Sequence, residues 1–560
     1  MHNLKLKYKN TYLEEIPEDT ALYEVSKKVI NDFKYPIVGA RLGEFLVGLN
    51  AKITSNEKVE FYDLSSPIGN RIYSRSLEFL VTVATKKILG DETDILINYS
   101  LENGICCEII GQRITKVTAE KIENKMREMV KQKFTFKEML VDRFDAIKYF
   151  KKHHQMDKVE SLRYTTNKTV TLYSLDGIYD YFFGPLVYNT GILDKFGLIY
   201  LKENSFILTY PGQANPNKVD KYIHHKLTFD TYKSFQNWGR SIGISTVPDL
   251  NKICTEGKYI DMLRLFETHY EDQLSLIAET IYKKKDQIKI ILLAGPSSSG
   301  KTTTAKKLSL YLKVKGLKCH KISLDDYFVN RDIAPRDEKG NLDFSSIESI
   351  DITLFNNHLN KLLSGHKVLM PTFDFITGKK EYNDNYLKLE KDEILIIEGI
   401  HTLNEKLTKN IPRENKFKIF MSPLIHLKLD NHNRVHTTDV RKIRRIVRDN
   451  LFRGTNAETT LKMWPNVDKE ARLSIYPYQD DADAMINSSL GYELSVLRIY
   501  AEPLLYGIES TSPEYPEAIR LINLLRCFLP MTSEVVPKDS ILREFIGGSV
   551  YEEWKDLIKW

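Results

Sequence analysis

Residues 289–304 constrain the fold of this 560-residue chain more than any other stretch: Lys-Ile-Ile-Leu-Leu-Ala-Gly-Pro-Ser-Ser-Ser-Gly-Lys-Thr-Thr-Thr. An apolar run of strand length ends at Gly295, Gly300-Lys301-Thr302 follows, and a helix-period stripe opens with Ala305, Leu308 and Leu312. That order predicts a strand, a phosphate loop and a helix. The glycines let successive backbone N–H groups turn inward, and the helix N-terminus adds partial positive charge, so a polyphosphate can rest there. The predicted cradle is Gly295, Pro296, Ser297, Ser298, Ser299, Gly300, Lys301, Thr302 and Thr303. Lys301 would reach the terminal phosphates, and the Thr302 hydroxyl would hold magnesium.

A chain of this length holds roughly three or four domains of ~150 residues, each able to bury a core. Its 42% hydrophobic and 28% charged residues are ordinary for a soluble globular protein, and a net charge of +6 over this length implies no nucleic-acid partner by itself. The five cysteines, an odd number without CxxC spacing, argue for a reducing compartment and against a disulfide frame. No signal-peptide core opens the sequence, and no apolar run approaches the ~18 residues that span a bilayer, so no membrane partner is expected and a cytoplasmic location is.

Residues 1–58 have the pattern of a small α+β unit: strand, turn, helix and strand from Leu4 to about Ile53, with Asp19-Thr20 at the helix N-cap and a stripe of Leu22, Val25 and Val29. Glu18–Lys27 resembles the TGS domain at the front of threonyl-tRNA synthetases. In residues 59–225, Arg75–Leu80, Asn98–Gly104, Phe182–Leu186 and Asn189–Gly191 resemble the editing-type second domain of those synthetases. That family gathers four metal ligands at positions that here are Ser76, Leu80, Phe182 and Leu186, a set that cannot bind zinc. The neighbours His153-His154 and His224-His225 cannot replace them, because adjacent residues of an extended segment face opposite ways; Cys106 and Cys107 on a probable strand do the same. The front half is therefore expected to be a scaffold whose cleft could still take RNA or a small effector.

Residues 226–285 form a connector. Leu263, Phe266, Tyr270, Leu274, Ile277 and Ile281 recur at three and four, which predicts one long amphipathic helix over Tyr259–Lys285 and leaves a coiled homo-oligomer contact open. From 286 to 510, short apolar runs at Ile288–Ala294, Lys318–Ser323, Glu393–Glu398, Lys416–Met421 and Ala484–Ile486 alternate with helix-length segments. That is α/β architecture: a parallel sheet covered on both faces, with ligands beyond the carboxyl ends of its strands. Residues 511–560 read as a helical tail with a stop at Gly547-Gly548.

Two acids stand at strand ends. Asp325 follows the second strand and is the candidate base for a substrate hydroxyl; Glu398 closes a buried strand, where a carboxylate needs a cation, and would share magnesium with Thr302. Together with Ser323-Leu-Asp-Asp-Tyr-Phe328, Asn341-Leu-Asp-Phe344, Met370-Pro-Thr-Phe-Asp-Phe375 and Glu398-Gly-Ile400, the phosphate loop resembles the uridine kinase and phosphoribulokinase family over about 220 residues. The fold so implied is a P-loop kinase preceded by two α+β synthetase-like domains. The resemblance implies that Asp325 is the base, that Asp343 grips the ribose hydroxyls and that Phe373 and Phe375 flank a nucleobase. It also implies that Arg441 lies near the substrate, and Arg444 and Arg448 near the phosphates, on a lid helix Asp439–Asp449. Uridine-cytidine kinases place a base-reading histidine three residues after the second aromatic; Gly378 stands there in this chain.

The implied activity is transfer of the γ-phosphate of ATP, with Mg2+, to the 5′-hydroxyl of a nucleoside, and Gly378 leaves the choice of nucleoside open. Two alternatives remain at this point: a kinase of another small alcohol, and a nucleotide-gated RNA-binding regulator. The second lacks an arginine-aromatic patch in residues 1–220.

Overall fold

The structure, a computed structural model, describes residues 3–101, 104–336, 340, 343, 346–374 and 377–551. The chain opens with strands β1 (Asn3–Tyr8) and β2 (Thr11–Pro17), helix α1 (Leu22–Lys28), and strands β3 (Ile37–Leu42), β4 (Phe45–Val47) and β5 (Lys58–Asp63), in one sheet ordered β2-β1-β5-β3-β4. Val59 and Phe61 alternate inward on β5 and share a core with Leu6, Ile16, Leu22 and Val25. The first unit therefore runs to Asp63, past the boundary expected at 58. The N-cap also differs: α1 follows Ala21, which offers its amides no side chain, while Asp19 turns at φ 65° and Thr20 Oγ1 donates to Pro17 O.

The second unit comprises α2 (Pro67–Leu89), β6 (Ile95–Leu101), β7 (Gly104–Ile109), α3 (Lys116–Gln132), β8 (Lys137–Asp142), α4 (Arg143–Lys152), α5 (Met156–Arg163), β9 (Thr169–Leu175), β10 (Ile178–Tyr181), β11 (Gly197–Lys202) and β12 (Ser205–Thr209). Its sheets are ordered β11-β12-β7-β6 and β10-β9-β8. Pro67 at the first turn and Ser66, whose Oγ accepts from Gly69 N, start α2, which is buried along most of its length. Leu80, Phe182 and Leu186 pack in the surrounding core, and the buried Ser76 Oγ donates to Ile72 O and accepts from Val187 N. Cys107 faces that core while Cys106 faces Tyr99 and Phe229 on the other side of β7. His225 is held by Asp480 at 2.7 Å.

Helices α6 (Lys226–Ser241), α7 (Val247–Thr255) and α8 (Tyr259–Lys283) lead into the third part. All six stripe residues of α8 are buried, in the same core as Leu308 and Leu312 of the following helix. The face that left an oligomer contact open is thus spent within the chain. Next come β13 (Ile290–Ala294), α9 (Lys301–Val314), β14 (Cys319–Ser323), α10 (Ile352–Leu363), β15 (Val368–Leu369), β16 (Thr372–Asp374), β17 (Lys379–Glu381), β18 (Tyr386–Leu387), β19 (Ile394–Gly399), β20 (Lys416–Ser422), α11 (Thr437–Arg453), α12 (Ala457–Ser474), β21 (Ala484–Asn487), α13 (Glu493–Tyr506), α14 (Tyr515–Arg526) and α15 (Arg543–Ile546).

The five predicted strands form one parallel sheet, β14-β19-β13-β20-β21. Side chains of β13 alternate between two cores: Ile291 and Leu293 join α8, α9, α11 and α13, while Ile290, Leu292 and Ala294 join α10 and Leu324. The tail is no separate unit, since Leu521, Leu525 and Phe545 complete the first of these cores. Between the halves, Lys158 of α5 lies 2.7 Å from both Asp180 and Asp430, all three fully buried. Among the described residues no helix is long and apolar enough to cross a membrane.

Candidate active site

The loop 295–300 joins β13 to α9 at the carboxyl end of the sheet. Ser298 at φ 62° and Gly300 at φ 92° are left-handed, which curls the loop so that its amides converge. Position 300 admits no side chain: a Cβ would come within 2.3 Å of Ile541 Cδ1. Lys301 folds over the loop, its Nζ 3.4 Å from Pro296 O. Burial lowers its pKa, against the pull of Glu398, Asp325 and Glu544. The hydroxyls of Ser298 and Ser299 are buried without a hydrogen-bond partner among the described residues, as in a cradle whose polar groups are meant for a ligand.

Strand register brings the acids to this point. Ser323 on β14 and Leu293 on β13 both pair with Glu398 on β19. Oε1 of Glu398 accepts from Thr302 Oγ1 at 3.1 Å and from Ser323 Oγ at 3.2 Å. Burial, and then the charge of Asp325, push the Glu398 carboxyl up to about 7. Asp325 lies in the turn Leu324–Tyr327 just beyond β14. Its carboxylate makes no hydrogen bond among the described residues and acts electrostatically on Lys301, Glu398 and Arg453. Asp326 is used structurally: its Oδ1 accepts from Phe373 N at 3.3 Å. Thr302, Ser323, Glu398 and Asp325 offer oxygen donors only, the set a hard cation such as magnesium takes.

On the acceptor side, Asp343 Oδ1 accepts from Ser346 N at 3.2 Å. Phe373 is buried against Phe328, ring centroids 5.6 Å apart, so its ring is spent in the core and not offered to a base as expected. Phe375 lies outside the described residues. Gly378 turns the β16–β17 hairpin at φ 69°, and a Cβ there would meet Arg331 Nε at 2.6 Å. Arg331, which no motif marks, thus occupies the space that a side chain at 378 would need.

Residues 290–492 match the Phosphoribulokinase / Uridine kinase family. The uridine kinase of Borrelia duttonii is 30% identical over 203 residues, covering 36% of this chain and 86% of that protein. The chain belongs to the phosphoribulokinase/uridine kinase family. Its N-terminal region is similar to threonine–tRNA ligases; that of Syntrophotalea carbinolica is 28% identical over 188 residues, 33% of this chain and 30% of the ligase. The chain spans about a third of the length of the ligases it matches. A solved structure of a possible uridine kinase from Bacillus stearothermophilus has 18% identity, covering 38% of this chain and 97% of that one, with a TM-score of 0.28.

The arginines of this family member are placed differently from expectation. Arg444 is fully buried: Nε pairs with Glu493 at 2.5 Å, and its other nitrogens reach Ser488 O and Ser298 O. It braces the back of the P-loop, with four of its five N–H donors committed to Glu493, Ser298, Ser299 and Ser488. Arg441, also fully buried, donates to Ser297 O at 3.1 Å and to Tyr476 OH at 2.9 Å, and Arg445 donates to Ser297 Oγ at 3.0 Å. Helix α11 is a core element clasping the loop, with Val440, Ile443, Ile446 and Val447 at zero exposure. Arg448 bears electrostatically on Lys301, and Arg453 on Asp325. The tail adds a further group: Glu544 Oε2 accepts from Thr303 N at 3.0 Å, in the first turn of α9.

Proposed function

We propose that this chain is an ATP-dependent nucleoside kinase that moves the γ-phosphate of ATP to the 5′-hydroxyl of a nucleoside. The observation that carries the proposal is Asp325, a carboxylate with no hydrogen bond among the described residues, placed just beyond β14 beside Lys301 and Glu398. Asp325 accepts the proton of the attacking hydroxyl as its oxygen bonds to the γ-phosphorus, and the bond to the β–γ bridging oxygen breaks to release ADP. Lys301 and the loop amides hold the phosphates, while Arg448 and Arg453 offset the charge that builds on them. Magnesium, held by Thr302 and Glu398, would neutralise phosphate oxygens.

The nucleoside lies between Asp325 and Asp343, with Arg331 in place of a side chain at 378. The burial of Phe373 favours a second substrate class, since a small alcohol without a ring needs no stacking face.

The test is a panel of purine and pyrimidine nucleosides, pantothenate and sugar phosphates, incubated with ATP and magnesium and followed for the phosphorylated product by mass spectrometry. A nucleoside monophosphate is expected. Asp325→Asn should keep ATP affinity within about twofold and lose roughly 10²–10⁴ in turnover. Turnover of no nucleoside, or an active Asp325→Asn enzyme, refutes the proposal.

A further inference from the structure

A cavity of about 880 Å³ lies between the front half and the kinase half, walled by α2, the segment before α11, and α14. Its size is that of a site for a ring-bearing small molecule. Six arginines line it with unequal commitments: Arg71 pairs with Glu517, and Arg498 and Arg526 pair with Glu502. Arg520 of α14 is spent on Asp439 and Glu517. Arg434 is 9% exposed, its nearest carboxylate is Glu78 at 3.5 Å, and its Nε has no hydrogen-bond partner among the described residues. Arg75 of α2 donates to Pro185 O at 3.0 Å, and among the described residues it makes no ion pair.

Burial, and then Arg434, hold His436 well below its ordinary pKa, so it stays neutral. Burial brings Arg75 down to about 10, with Glu78 only partly opposing. A guanidinium presents five donors in a planar fork, and leaving them unmet in a buried site is unfavourable; a carboxylate or phosphate matches that fork bidentately. Phe183 and Ile519 add apolar wall for an organic body.

We propose that this cavity binds a small organic oxyanion, a carboxylate or phosphate monoester carrying a ring, gripped by Arg434 and Arg75. The site is independent of the phosphoryl-transfer proposal, and either can fail without the other. It adjoins the base of α11, the helix whose Arg441 and Arg445 clasp Ser297.

Phenyl phosphate and benzoate are the probes, one for each oxyanion, titrated by calorimetry into the full chain carrying Lys301→Ala so that the P-loop does not compete. Binding of one or both at a single site is expected, weakened at least tenfold by Arg434→Gln and by Arg75→Gln at unchanged melting temperature; the tighter probe identifies the oxyanion. Should Arg434→Gln fail to fold, the less buried Arg75→Gln carries the comparison. Absence of binding by both probes, or binding indifferent to the substitutions, overturns the site.

Discussion

Glu544 offers a direct way to weigh the tail against the nucleotide. Its carboxylate takes the Thr303 amide at 3.0 Å, at the N-terminus of α9, where an anionic phosphate would also seek donors. ATP must then compete with a charge-assisted hydrogen bond worth about 1.5–3 kcal/mol, or roughly one to two decades of affinity. Glu544→Ala removes that competitor, and ATP should bind about tenfold more tightly or better. Glu544→Gln keeps an acceptor oxygen and removes only the charge at the helix end, worth about 0.3–1 kcal/mol, so two- to fivefold is expected. The fold should survive both changes, because Ile541, Leu542 and Phe545 anchor the segment at zero exposure. Calorimetric titration of ATP and its KM in steady state measure the effect. Unchanged or weaker ATP binding in Glu544→Ala would refute the reasoning, and would mean that the carboxylate helps to seat the nucleotide.

Glu398 should give metal binding a pH dependence. With its carboxyl at about 7 in the free enzyme, it is mostly protonated below that pH and must lose the proton to hold a cation. Magnesium affinity should fall about tenfold per pH unit below 7 and level off above it; a titration in Glu398→Gln should be flat across this range. Lys158→Met should destabilise the joined halves by about 3–5 kcal/mol, because it removes the cation shared by the fully buried Asp180 and Asp430, leaving Asp180 to His432 and Asp430 to neutral donors alone. Denaturant unfolding measures it, and a loss under 1 kcal/mol would mean that the pair is compensated by its neighbours, such as His432.

What was legible follows from the range of the signal. The strands of the parallel sheet announced themselves because residues such as Ile290–Ala294 are buried on both faces and need no partner to be recognised. Asp325 and Glu398 were readable for the same reason, as acids at the ends of such runs. The α11 arginines show the limit. The resemblance puts Arg441, Arg444 and Arg448 on one lid helix, but how far Arg444 is committed to the protein depends on Glu493, 49 residues beyond it. Glu544 lies 241 residues from the amide it occupies, so no local pattern could place it. Phe373 is ambiguous in sequence because an aromatic can serve a base or a core equally well, and Phe328, from the turn after β14, is what buries it. The loop 295–303 is written in consecutive residues, whereas the groups that reach it, Glu398 from 96 residues away and Glu544 from 241, arrive only through packing.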